Sequence, residues 1–297
     1  MKHTEHNDEI KQLLSAARKL EIKARRLCVQ HFIGDFRSAF RGSGLSFAEV
    51  RPYQYGDEVR NIDWNVTART GQAHVKIFEE ERESSMVIVF DNSASMFYGN
   101  RNSSKKELAM EIAAVIAFSA ITANDRIGLL VFDSDNIQFI PPSKGKNQLT
   151  HILSTLIKAN KPAKGKTRIS DALEYLLKRK VSAENCFIIS DFQSEDFSDA
   201  LKTASIKYDL TGIMVEETSE MIFPIKGYIQ FEDLETGEHR FLNQLFSSGQ
   251  KQFAEAANQR YGECKVLFQR TGSELLKLET GKPYIPILKS FFKKRMK

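Results

Sequence analysis

Nowhere does this chain carry an apolar run approaching the roughly 18 residues that a membrane-spanning helix requires. Its first residues, Met1-Lys-His-Thr-Glu-His-Asn-Asp-Glu9, are polar and partly acidic, unlike a secretory leader, so a cytoplasmic location is expected. The three cysteines, Cys28, Cys186 and Cys264, lie far apart and form no C-x-x-C pair. That excludes a disulfide framework and a thiolate metal clip, and suits buried thiols in a reducing compartment. The six histidines are scattered, with no metal spacing and no Ser–His–Asp order among them. No basic stripe interleaved with aromatics is present, which argues against nucleic-acid binding. Internal repeats and low-complexity linkers are also missing. The net charge of +5 permits acidic partners or a membrane surface without demanding either.

What the chain does have is enough apolar residue to build a core. At 297 residues it can hold one large domain or two modest ones. The stretch that organises it is Met86-Val-Ile-Val-Phe-Asp-Asn-Ser-Ala-Ser-Met96. Five apolar residues, some β-branched, read as a strand buried on both faces. Asp91, Ser93 and Ser95 follow at alternate positions, so a chain turning over the strand end can aim all three into one pocket. In an open α/β sheet that place is the ligand crevice. One carboxylate and two hydroxyls form a hard, all-oxygen set suited to Mg²⁺ or Mn²⁺. Alone the pattern is weak, arising by chance in roughly one chain in fifteen of this length. The plain alternative is a polar turn in which Ser93 or Ser95 caps a helix.

Residues 9–33 repeat apolar positions at helical spacing, with Lys11, Arg18, Lys19, Lys23, Arg25 and Arg26 between them. A helix packed on the domain with a solvated basic face is preferred over a membrane-surface or partner helix. Residues 45–51 suggest a strand ended by Pro52, and Gly56-Asp57 a turn. Asp57, Arg60, Asp63, Trp64 and Arg69 then suggest a knot of Arg–carboxylate pairs around the single tryptophan. The functional alternative is an anion- or partner-binding patch of Arg51, Arg60 and Arg69. From residue 74 onward, strands are expected at 74–78, 86–90, 127–132, 136–140, 186–190, 208–215 and 265–268. Helices are expected at 105–122, 149–157, 169–178, 197–204, 250–261 and 284–297, the last one apolar and then basic. This alternation predicts βαβ units: a mostly parallel sheet with helices on both faces. A hairpin across Glu235-Thr-Gly-Glu238 is inserted at 227–243. The domain boundary is expected at 83/84, with residues 1–83 a segment packing on a main domain of 84–297.

Asp191 repeats the geometry of Asp91, because Ile188-Ile-Ser-Asp191 ends a second apolar strand in a carboxylate. The loop before residue 169 offers Thr167. Three loops at one sheet edge can then surround a single ion with Asp91, Ser93, Ser95, Thr167 and Asp191. These residues resemble the metal-ion-dependent adhesion site of von Willebrand factor A domains: D-x-S-x-S, then a distal threonine, then an aspartate. The segment "GSGLSFAEVRPYQYGDEVRNIDWNVTART" (residues 42–70), with "FEEERE" and a C-terminal "FFKKR", is similar to a bacterial family of unknown function that joins such a segment to an A domain. The resemblance covers nearly the whole chain and implies a three-layer Rossmann-like A domain. Genes of that family commonly neighbour MoxR-type AAA+ ATPases, which implies such an ATPase as partner in assembling or maturing another complex. Lys166 and Arg168 flank the threonine, where many relatives have a small residue before it. Two cations there should weaken the metal or favour acidic ligands, so constant occupancy is not expected.

Two enzymatic readings are weaker. Gly165-Lys166-Thr167 looks like the end of a phosphate-binding loop, but Asn160 stands where its first glycine belongs and no strand precedes it. A Mg²⁺-dependent phosphohydrolase using Asp91 as nucleophile would ordinarily carry a second acid two residues on, and that residue is Ser93. The expectation is therefore a non-enzymatic interaction protein. Its rivals are that hydrolase and a metal-free scaffold whose hydroxyls only cap helices. Contact of the basic termini with a membrane surface stays open.

Overall fold

The computed structural model describes residues 2–31, 46–79, 83–97, 99–100, 103–159, 165, 167–217, 228–232, 239–243 and 247–295. The chain divides into two compact units, residues 41–84 and residues 1–40 with 85–297. Residues 1–40 group with the larger unit. The reason is α1 (Lys2–His31), which packs on two helices of that unit.

The smaller unit is built on an antiparallel pair, β1 (Ser46–Pro52) and β2 (His74–Glu79), with α2 (Trp64–Thr70) between them. Asp63 caps α2, its carboxylate accepting the amides of Asn65 at 3.0 Å and Val66 at 3.2 Å. Arg51 holds Asp57 through two bonds of 2.7 Å, a bidentate pair that fixes the turn after β1. The expected charge knot is therefore centred on Arg51 and Asp57 and not on the tryptophan. Trp64, at the first position of a short helix, is 67% exposed.

In the larger unit a six-stranded sheet has the order β10-β7-β6-β3-β4-β5. These are β3 (Ser85–Asp91), β4 (Arg126–Phe132), β5 (Ile137–Ser143), β6 (Asn185–Ser190), β7 (Asp209–Glu216) and β10 (Glu274–Glu279). All pairings are parallel except β4 with β5. Pro141 and Pro142 lie within β5, tolerated there because it is the edge strand. Gly128 makes that edge possible: a Cβ on it would stand 2.8 Å from the Ile140 carbonyl oxygen. A separate hairpin pairs β8 (Tyr228–Glu232) with β9 (His239–Asn243), and its turn lies outside the described residues.

Strand alternation assigns the two faces. Met86, Ile88 and Phe90 point into one core with α1, α3 (Lys105–Thr122), α4 (Lys146–Lys158) and α8 (Ile285–Arg295). Val87 and Val89 point into the other with α5 (Ile169–Lys178), α6 (Ser198–Lys207) and α7 (Ser247–Arg270). The expected α/β class, a mostly parallel sheet with helices on both faces, is what the chain forms. Helix α3 is apolar around much of its circumference because it is covered twice, by the sheet and by α1. Cys28 of α1 reaches it, with Sγ 3.1 Å from Ser119 Oγ, and burial pushes that thiol up to about 11.

Residues 265–268, expected as a strand, belong to α7, and the last strand is β10. Three consecutive apolar residues, Val266 to Phe268, cannot distinguish the two periods. The longer spacing does, since Ala257, Cys264 and Phe268 are buried seven and then four residues apart. Among the described residues no helix is long and apolar enough to cross a membrane. At the basic end of α8, Arg295 is paired with Asp209 and Lys294 lies 3.4 Å from Glu274. Part of the basic terminus is thus used within the fold.

Helix α3 starts on a capping box: Ser104 Oγ accepts the Glu107 amide at 3.1 Å and Glu107 reaches back to the Ser104 amide. Ser104→Ala is expected to lower stability by about 1 kcal/mol, read as a shifted urea midpoint at unchanged slope.

Candidate metal centre

The chain leaves β3 for α3 and then enters β4 on one side, while β6 joins β3 on the other. The carboxyl ends of β3 and β6 therefore flank the point where strand order reverses, the crevice in which open α/β sheets bind ligands. Asp91 ends β3 and Asp191 immediately follows β6. Register alone makes Phe90 a neighbour of Ile189, so the two acidic turns rise side by side.

Asp91 is buried, and both of its oxygens are engaged. Oδ1 accepts the Ser93 amide at 2.8 Å and Oδ2 accepts the Ser190 hydroxyl at 2.6 Å. Ser93 and Ser95 stand with their hydroxyls 3.0 Å apart. Burial raises the Asp91 carboxyl to about 6, with the Asp191 charge adding to the rise and the Ser190 and Ser93 bonds opposing it. Asp191 is buried too, which by itself would raise its carboxyl. The Lys105 ammonium, 2.7 Å from Oδ2, wins and holds Asp191 below the usual carboxylate range. Its Oδ1 accepts the Gln193 amide at 3.1 Å.

Thr167 joins through a stitch between loops. Ser194 Oγ donates to the Thr167 carbonyl at 3.3 Å and accepts the Ile169 amide at 3.2 Å, tying the start of α5 to the turn after Asp191. The Thr167 side chain is 5% exposed, and its hydroxyl has no hydrogen-bond partner among the described residues. Buried hydroxyls are rarely left unpaired, because desolvation without a partner costs about 1–3 kcal/mol. Beside it opens a cleft of about 670 Å³, lined among others by Phe192, Gln193, Arg260, Glu263 and Leu267. Phe192 takes a left-handed backbone, φ 54°, which turns its ring onto Phe268 with centroids 5.6 Å apart. That packing offsets a strain of roughly 1–3 kcal/mol immediately beyond Asp191.

The donor set tests the metal as follows. Among the described residues no three of His, Cys, Asp and Glu come together to hold an ion. What converges is two carboxylates with hydroxyls, a set for a hard, oxygen-preferring cation and not for zinc. The unsatisfied Thr167 hydroxyl fits a missing ligand partner. Asp91, Ser93, Ser95 and Thr167 are the residues that would hold Mg²⁺. Asp191 could do so only after yielding the oxygen that Lys105 holds.

Three participants escaped the sequence reading. Ser190 bridges Asp91 Oδ2 to the Phe192 amide, a role visible only once β6 is known to lie beside β3. Lys105 and Lys106 are almost wholly buried in the first turn of α3, where the helix dipole disfavours cations. Lys106 donates to Asn92 and lies 4.8 Å from the Phe90 ring and 4.7 Å from Phe97. Burial lowers it to about 7, against the pull of Asp91 and Asp133. Two adjacent lysines look solvated in sequence; only burial by the surrounding elements reveals them. Of the two cations expected to crowd the site, Lys166 lies outside the described residues, and Arg168 is exposed, 3.5 Å from Asp171. Arg60 and Arg69 are exposed on the smaller unit, whereas Arg51 is taken up by Asp57.

The family profile described as "Protein of unknown function DUF58" matches residues 49–262. The chain belongs to this family. Two mycobacterial members are similar to it over nearly all its length. "Uncharacterized protein Rv1480" of Mycobacterium tuberculosis H37Rv and "Uncharacterized protein Mb1516" of Mycobacterium bovis are each 27% identical over 286 residues, covering 96% of this chain and 90% of theirs. Among solved structures, an aerotolerance-related membrane protein from Bacteroides fragilis NCTC 9343 is 12% identical and has a TM-score of 0.44, with 71% of this chain and 97% of that one covered. The SpRpn10 VWA domain is 13% identical with a TM-score of 0.39, covering 69% and 93%.

Proposed function

We propose that this DUF58 protein is a non-enzymatic, metal-dependent interaction protein whose von Willebrand factor A-like unit docks an acidic side chain of a partner. The observation that carries the reading is the buried, unsatisfied Thr167 hydroxyl, on a loop stitched to the turn that bears Asp191, which in turn stands beside Asp91. A bound Mg²⁺ would supply an electrophilic centre able to accept one carboxylate oxygen from outside. The chain's own part is to hold the hydroxyls of Ser93 and Ser95 together, and to keep water from Asp91 by burying it. Neutral hydroxyls leave such an ion with charge to spare, which favours an anionic ligand.

A hydrolase using Asp91 is disfavoured, since Ser93 stands where such an enzyme would carry its second acid. The sequence resemblance supplies the partner class: a MoxR-type AAA+ ATPase, the pair acting on another complex. The exposed Arg60, Arg69 and Trp64 of the smaller unit offer a second contact surface for an acidic partner. Capture of that ATPase from solution, with Mg²⁺ or with a chelator, tests the proposal. Wild type with Mg²⁺ is expected to retain it, and Asp91→Asn to lose at least about tenfold in affinity, roughly 1.4 kcal/mol. Equal capture by a folded Asp91→Asn protein would remove the metal from the mechanism, and Asp91-dependent phosphoester turnover would restore the enzyme reading.

A further inference from the structure

Helix α3 delivers a cation into the centre of the site. Lys105 Nζ lies 2.7 Å from Asp191 Oδ2, and both side chains are 1% exposed. The other Asp191 oxygen is held by the Gln193 amide, so the carboxylate is occupied on both sides. A divalent ion entering beside Asp91 would meet a buried ammonium on the second carboxylate it needs. Two cations sharing one buried carboxylate repel each other where little water screens them. We infer that Lys105 is an internal competitor for the metal: its ammonium holds Asp191 in the ion-free state and must withdraw before Asp191 can take part in binding.

The inference rests on the metal-docking reading and gives it a control point. With Lys105 in place the chain neutralises Asp191 by itself, so the fold does not depend on the ion. Occupancy is then set by the balance between a tethered ammonium and free Mg²⁺. Lys106 does not substitute for Lys105, because its ammonium is held by Asn92 and the rings of Phe90 and Phe97.

Titration with Mn²⁺, followed by loss of the free-ion paramagnetic resonance signal, tests this on the full chain. Lys105→Met is expected to bind at least about tenfold more tightly than wild type, the size of effect that groups behind a metal ligand typically have. Adding Asp91→Asn should abolish the gain. Lys105→Met can weaken the fold, so a second measurement uses the wild type alone. In protein labelled with ¹⁵N at lysine side chains, the Lys105 Nζ resonance is expected to shift on saturation with Mg²⁺. Mn²⁺ binding that is equal in both proteins, or a Lys105 signal unmoved by bound Mg²⁺, would overturn the competition while leaving the metal site standing. A gain that survives Asp91→Asn would place the ion elsewhere and overturn it as well. Failure of both proteins to bind Mn²⁺ would remove the metal reading and the inference together.

Discussion

Asp191→Ala is expected to lower the stability of the protein by about 3–5 kcal/mol, one of the largest single losses available at the site. The substitution deletes the carboxylate that balances the buried Lys105 ammonium, and breaking one side of a buried pair has that size of effect. In a unit of this size each kcal/mol moves the melting temperature by about 2–4 °C, so a fall on the order of 10 °C should be seen calorimetrically. The companion result separates charge from packing. Lys105→Met with Asp191→Asn replaces the pair by neutral groups of similar shape and is expected to recover most of the loss, since such replacements are often neutral. A double variant as unstable as Asp191→Ala would show that packing, and not ion pairing, makes this corner rigid.

Asp91→Asn is expected to act in the opposite direction: the metal-free variant should be more stable than wild type at pH 7. The native carboxyl is raised to about 6, above the value near 3.9 of an unfolded chain. Between those two values the native state binds the extra proton, so wild-type stability falls as pH rises from about 4 to about 6 and is level above. Relief of the buried charge outweighs the lost fit to Ser190, so a net gain on the order of 1 kcal/mol is expected at neutral pH. Urea unfolding in a chelator at pH 4 and pH 7 checks it: the gap between variant and wild type should open with pH. Asp191 contributes with the opposite sign, because its lowered value stabilises the fold at neutral pH and is lost on acidification.

Much of the architecture was readable from local pattern. The expected spans 105–122 and 169–178 coincide with helices α3 and α5, and 86–90 lies within β3. Those segments have clear periods and clear ends: a capping box before α3, and an apolar run ending in a carboxylate for β3. Local pattern failed where a short apolar run fitted two periods, as at 265–268. Helix α1 packs on the domain as its spacing led one to expect, with Ala17, Ala24 and Cys28 buried in the main core. The knot at residues 57–69 was misplaced because sequence proximity of opposite charges says nothing about which pair a turn brings together.

By itself, then, the sequence determined that a buried strand must end in Asp91, that Ser93 and Ser95 must follow on one side of the turn, and that a second strand must end before Asp191. Each of these follows from the period of the backbone, which residue type alone sets. Only the tertiary structure decided that β6 lies next to β3, that Ser190 binds Asp91, that the Thr167 hydroxyl has no hydrogen-bond partner among the described residues, and that Lys105 reaches Asp191 from 86 positions away. Those are consequences of strand order and of burial, which are properties of the packed chain and are absent from any local stretch of it.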